Sequence, residues 1–389
     1  MRTFVVCLLM AGAVALIRPA NSADAPRARD LGIPFDGTTG PLNAITDVAG
    51  VTVGQVSIIK DLPDRRAVRT GVTAILPRGD ATRETPVFGA WFALNGNGEM
   101  TGTTWLEESG FLEGPVMITN THSVGTVHQA TIEWRVGQGD ADTTGYWWSL
   151  PIVAETWDGH LNDINGFHVK AEHAHAALRS ASGGPVAEGN VGGGTGMICH
   201  EFKCGIGTSS RVVEAGDETY TVGVLVQANY GLRDTLRIAG VPVGKHLTED
   251  RAYASVNPEG QESGSIIVVV ATDAPLLPHQ LKRIAKRAGL GIARVGGMAG
   301  NGSGDIFIAF SNALGEADPA RPVMTVEMLL NDEISPLFDA TVLATEEAIV
   351  NAMIAATDMT GDLGHVVKAI DHDKLRTVLA EFNRLEEPQ

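Results

Sequence analysis

Three cysteines in 389 residues are too few for the disulfide framework of a small stapled domain. Their spacing supplies no zinc site either. Cys7 stands alone, and Cys199 and Cys204 frame Cys-His-Glu-Phe-Lys-Cys with no second cysteine pair and no His-x-x-x-His partner. A disulfide closing that short loop and a pair of free buried thiols are both compatible with the residues.

Positive charge is scarce, with 29 Lys and Arg against 46 Asp and Glu and a net charge of −17. Such a chain lacks the electrostatic footprint of a nucleic-acid partner. Nothing after residue 17 approaches the roughly 18 to 20 apolar residues of a transmembrane helix, so no membrane partner is expected. Gly192-Gly-Gly-Thr-Gly196 is followed by no Gly-Lys-Ser/Thr, and no dinucleotide fingerprint occurs. That run reads as close backbone packing near the active site rather than as a phosphate cradle. The Gly-x-Ser-x-Gly elbow of Ser-His-Asp hydrolases is missing too, because Asn301-Gly-Ser-Gly-Asp305 carries asparagine in place of the first glycine. His122, in Asn-Thr-His-Ser, has no partner visible in sequence and reads as a satisfied buried histidine.

Met1 to Ile17 gives one positive charge and then an apolar stretch, followed by small residues at Ala20-Asn-Ser-Ala23. This pattern predicts a signal peptide over 1–23 and a periplasmic or secreted mature protein. Glycine is abundant, 46 residues dispersed among apolar runs, and predicts one large α+β catalytic domain over 24–389. Strands are predicted at 51–59, 71–76, 87–94, 116–119, 221–227, 265–271 and 306–310, many of them apolar on both faces. Helices are predicted at 278–288, starting at Pro278 and stopping at Gly289, at 337–356 and at 371–385.

One junction carries chemistry. The turn-prone segment Asn257-Pro-Glu-Gly-Gln-Glu-Ser-Gly264 runs straight into Ser265-Ile-Ile-Val-Val-Val-Ala271, a buried central strand by its β-branched composition. The Ser265 hydroxyl at that loop-to-core edge can attack the Gly264 carbonyl and convert the amide to an ester. Water then releases a Ser265 whose own α-amine serves as its base. An α-amine titrating near about 7.7 to 8.0 is partly neutral at neutral pH, so no histidine is required.

Ser265–Leu276 and Arg294–Ser311, together with Gly40–Val51, Pro151–Trp157, Gly192–Met197 and Val224–Gly231, resemble in order the self-processing aminopeptidases of the DmpA and β-peptidyl aminopeptidase family. The resemblance spans about residues 32 to 375 and implies a four-layer α/β/β/α sandwich similar to the amino-terminal-nucleophile hydrolases. It implies self-cleavage between Gly264 and Ser265 into chains 24–264 and 265–389, and an acyl-enzyme on Ser265. Ser303 is implied as the relay beside the nucleophile and Asp305 as its orienting acid or base, where some family members carry Glu. Asn229 is implied as an oxyanion donor together with a backbone amide. Glu155 is implied to hold the substrate's free ammonium. Trp157 lines the pocket where other members have Tyr. The implied partners are short peptide, amide or ester substrates and further copies of the chain in a homo-oligomer, with no metal or organic cofactor. An acyltransferase of the same fold and a periplasmic small-molecule binding protein are the rival readings. The first is disfavoured by the serine and the leader; the second requires an uncleaved chain.

Overall fold

The computed structural model describes residues 25–83, 85–139, 148–253, 264–315 and 322–387. The expected signal peptide and most of the loop before Gly264 lie outside the described residues.

Two sheets form the centre. Strands β1 (Thr52–Asp61), β2 (Ala67–Leu76), β5 (Val116–Asn120) and β6 (Ile152–Thr156) make a four-stranded sheet in the order β1-β2-β5-β6. Strands β3 (Val87–Gly96), β4 (Phe111–Leu112), β9 (Ile206–Ala215), β10 (Glu218–Asn229), β11 (Ser265–Thr272) and β12 (Gly304–Ser311) make a six-stranded one in the order β4-β3-β12-β11-β10-β9. Two short ribbons complete the strands, β7 (Ile198–Cys199) with β8 (Phe202–Lys203) and β13 (Met359–Thr360) with β14 (Val366–Val367).

The composition of β11 explains its place. All eight of its residues are buried, because alternation sends them into two different cores. Ile267, Val269 and Ala271 enter the layer between the sheets, alongside Ile118, Ala154 and Leu225. Ile266, Val268 and Val270 enter the layer beneath helices α4 (Pro278–Val295) and α5 (Ser335–Ile354). On the far side, α2 (Val124–Gly137) and α3 (Ala171–Arg179) close a third apolar layer over the four-stranded sheet. Helix, sheet, sheet, helix is therefore the order of layers, as the family resemblance implies. Two further helices, α1 (Thr103–Ser109) and α6 (His372–Glu381), pack at the periphery.

The first described residues are tied down by ion pairs as well as by burial of Ala28 and Ile33 in the core. Arg29 and Arg211 both bond the buried Glu347, at 2.8 and 2.6 Å, and Arg27 bonds Glu188 at 2.7 Å.

Helix α4 runs past the predicted stop at Gly289 and ends at Gly296, whose φ of 101° closes it. Tertiary packing overrides the local signal. Gly289 lies against β3, where a Cβ would come within 3.2 Å of Leu94, and Gly291 against α5, where one would come within 2.6 Å of Thr345, so these glycines permit close packing instead of ending the helix. Strand β9 was not expected because Thr208-Ser-Ser-Arg211 reads as polar, yet all four side chains are buried. Buried hydrogen bonds compensate: Thr208 donates to the Val224 carbonyl, and the Ser209 hydroxyl to Asn43. Strand β6 and helices α1, α2 and α3 were likewise not anticipated.

Candidate active site

Register brings the site together. Strands β10 and β11 pair antiparallel with Asn229 opposite Ser265, and β11 and β12 pair parallel with Ser265 opposite Gly304. Asn229 and Ser265 sit on the alternation that holds Leu225 and Ile267, so both belong to the face turned toward the other sheet. Ser303 and Asp305 flank Gly304. The Ser303 hydroxyl donates to Asp305 at 2.7 Å, and both residues are buried.

The Gly304 amide donates to the Gly264 carbonyl at 3.1 Å and to the Ser265 Oγ at 3.3 Å. A single N–H is thus shared by the carbonyl of the 264–265 bond and by the hydroxyl next to it. Gly264 must be glycine, because a Cβ there would stand 2.3 Å from the Asn229 carbonyl oxygen.

Asn229 is held at both ends of its carboxamide. Its Oδ1 accepts from the Ile198 amide at 2.9 Å, and its Nδ2 donates to the Trp157 carbonyl at 2.8 Å. A carboxamide has two N–H donors, so that bond occupies one of the pair.

Glu155 reaches the same cleft from the end of β6. A Cβ placed on Gly98 would lie 3.3 Å from Glu155 Oε1 and 3.3 Å from the Gly304 Cα, which brings the carboxylate near the start of β12, the strand paired with β11 at Ser265. Oε1 accepts from the Glu99 amide at 3.0 Å and Oε2 from the Thr121 hydroxyl. Burial raises the carboxyl's pKa, and those two bonds oppose the shift. Trp157 is 43% exposed, while its backbone carbonyl accepts from Asn229 Nδ2.

Several residues of this neighbourhood gave no signal in the sequence. Asn95 donates to the Ala299 and Gly300 carbonyls and Asn97 to that of Gly302 at 2.9 Å, pinning the turn that carries Ser303. The dipeptides Asn95-Gly and Asn97-Gly could have marked a turn there, but not its partner. Asp158 accepts from Asn120 at 3.1 Å and Asn162 at 3.0 Å.

His122 is exposed and stacked on Phe167 at 5.9 Å, which corrects its reading as a buried residue; its position on the turn after β5 was not legible. The glycine run behaves as expected. A Cβ on Gly193 would meet Gln227 Oε1 at 2.2 Å, and one on Gly196 the Arg69 carbonyl at 2.2 Å. Cys199 and Cys204 are joined in a disulfide, which resolves the open alternative. The serine of Asn301-Gly-Ser-Gly-Asp305 precedes a strand, whereas a nucleophile elbow needs strand, turn and then helix.

The model of peptidase family S58 matches residues 43–367. The chain belongs to peptidase family S58. It is 54% identical over 384 residues to the β-peptidyl aminopeptidase BapA of Sphingosinicella microcystinivorans, covering 95% of this chain and 96% of that one. Among solved structures it is similar to the L-aminopeptidase D-Ala-esterase/amidase of Ochrobactrum anthropi, a prototype of the serine aminopeptidases with a variant of the Ntn hydrolase fold. That likeness has a TM-score of 0.88 at 52% identity, over 93% of this chain and 100% of the other. A β-aminopeptidase of Burkholderia sp. gives a TM-score of 0.83 at 48% identity, over 92% and 99%. As an S58 member the protein is a hydrolase, a serine aminopeptidase.

One property of the site's support can be measured without substrate. Burial raises the Asp158 pKa to about 6 against the hydrogen bonds of Thr70, Asn162 and Asn120. The folded state therefore holds this proton more tightly than the unfolded chain does. The resulting stabilisation is present below the ordinary aspartate pKa of about 3.9 and is lost as pH rises through about 6. Asp158→Asn carries no titrating group, so its stability relative to wild type should improve steadily from pH 4 to pH 7 in urea denaturation. A constant difference over that interval would show Asp158 to be ionised throughout.

Proposed function

We propose that this S58 enzyme is exported, cleaves itself between Gly264 and Ser265, and then releases amino-terminal residues from short peptides, amides or esters through an acyl-enzyme on Ser265. The observation that carries this reading is the shared Gly304 amide, which polarises the Gly264 carbonyl beside the Ser265 hydroxyl. The hydroxyl adds to that carbonyl carbon and the oxygen gains negative charge under the Gly304 N–H. The C–N bond then breaks, with the proton delivered to the new α-amine. Water hydrolyses the ester and frees the Gly264 carboxylate. In the second reaction the freed α-amine takes the Ser265 proton as the hydroxyl attacks substrate. Asn229 Nδ2 and the Gly304 amide are the donors placed for the oxyanion. The Ser303–Asp305 pair orients the amine.

Glu155 selects the substrate. A buried carboxylate whose partners are a hydroxyl and an amide has unused acceptor capacity for an ammonium. The reading includes β-amino residues, because the relatives named above comprise a β-peptidyl aminopeptidase and a β-aminopeptidase and Trp157 lies open at the rim. A second copy of the chain covers the segment 322–330, where Val323, Met324, Val326, Met328 and Leu330 are all exposed on one extended stretch.

Purified protein should show two chains on a denaturing gel, one ending at Gly264 and one beginning at Ser265, and Ser265→Ala should leave a single chain. An intact wild-type protein with full activity would falsify the self-cleavage reading.

Free and amino-acetylated versions of one substrate should differ sharply. Glu155→Gln should shrink that preference by roughly 1 to 2 kcal/mol, the worth of a charge-assisted bond. Because burial raises the Glu155 pKa, KM for the free amine should climb on acidification while pH is still above the ordinary glutamate range. That limb should vanish in the glutamine variant. Equal turnover of the two substrates by wild type would leave a general amidase.

Val323→Asp with Leu330→Asp should reduce the particle mass measured by light scattering. A wild-type protein that is already monomeric would remove the oligomer from the reading.

A further inference from the structure

We infer that the Cys199–Cys204 disulfide is a positioning device for the oxyanion donor, acting through the ribbon it closes rather than through global stability. The inference rests on the proposed role of Asn229. The bond joins the two ends of a six-residue loop, Cys199 to Cys204, at the ribbon β7–β8. Residue 198, immediately before the first cysteine, supplies the amide that fixes Asn229 Oδ1 at 2.9 Å. Because the carboxamide is planar, fixing Oδ1 fixes the direction of both Nδ2 protons. One of them is spent on the Trp157 carbonyl, so the aim of the other depends on where Ile198 is held.

The ribbon would not keep this shape by local preference. Its two turn residues, His200 and Glu201, are non-glycine residues with φ of 47° and 62°, a conformation costing roughly 1 to 3 kcal/mol each. Three groups besides the disulfide oppose that strain. Lys203, wholly buried, donates from Nζ to the Met197 carbonyl at 2.8 Å and the Cys204 carbonyl at 2.6 Å, across the neck of the ribbon. The His200 amide donates to the Tyr230 carbonyl at 2.7 Å, next to Asn229. Arg233 donates to the carbonyls of His200 and Glu201 at 2.9 and 2.7 Å. Ribbon and chain are thus clasped just past Asn229. The disulfide is the covalent member of that clasp.

The test compares the processed wild-type enzyme with the Cys199→Ser/Cys204→Ser variant and with Lys203→Met, which keeps the disulfide and removes the bonds at the neck. Both should lose kcat by about 10-fold or more, the size expected when a catalytic donor is misplaced by about an ångström. KM for a free-amine substrate, set by Glu155, should change little. Asn229→Ala should lose about 100-fold in kcat, and adding the double serine change to it should cost no further activity. Unchanged kcat in both ribbon variants, with only a lower Tm, would overturn the inference and leave a structural disulfide. So would full additivity with Asn229→Ala. If Asn229→Ala itself keeps wild-type kcat, it is the oxyanion role that fails, a result distinguishable from the other two.

Discussion

Everything in the active site depends on strand β11 being paired on both edges at its first residue. A strand that began one residue later would leave Ser265 in a loop, free of Asn229 and Gly304. The ladder holds it because the following residues are apolar on both faces and are consumed by two separate cores, so slipping by one position would exchange every side chain between layers. The hydrophobic effect thus fixes the place of a hydroxyl that takes no part in it. The antiparallel neighbour contributes an asparagine and the parallel neighbour an amide, each delivered by register alone.

Three buried acids show how partners set the balance against desolvation. Glu347 has Arg29 and Arg211 beside it, and its pKa falls despite burial. It holds the start of the described chain against α5. Glu155 and Asp158 have hydroxyl and amide partners, and the pKa of each rises. A carboxylate buried with such partners is expensive. Asp158 bridges Asn120 and Asn162.

Glycine does more positional work here than any other residue type. Gly264, Gly193 and Gly196 each sit where a single added carbon would meet backbone or a buried side chain at well under 3 Å. These contacts let two sheets and a ribbon converge on one small volume. Such convergence lets the Ile198 amide, on a short buried hairpin, reach a side chain at the end of β10.

The strand signal of 265–271 was legible because a β-branched run carries its own period and its burial on both faces. So was the placing of a serine at its edge, since Gly264 and Ser265 are adjacent in sequence. The layer order followed from a family resemblance rather than from periodicity, and strand β9 escaped because its buried polar residues look like surface. What sequence by itself determined is the serine at the strand edge, the strand that carries it and the residue types set around it. Tertiary structure alone decided that Gly304, lying between Ser303 and Asp305, presents the amide opposite Ser265. It also decided that Glu155 crosses from the other sheet and that a hairpin closed by Cys199 and Cys204 orients Asn229. The physical reason is sequence distance: such contacts depend on register and on close backbone approach between segments tens of residues apart, and local propensity contains neither.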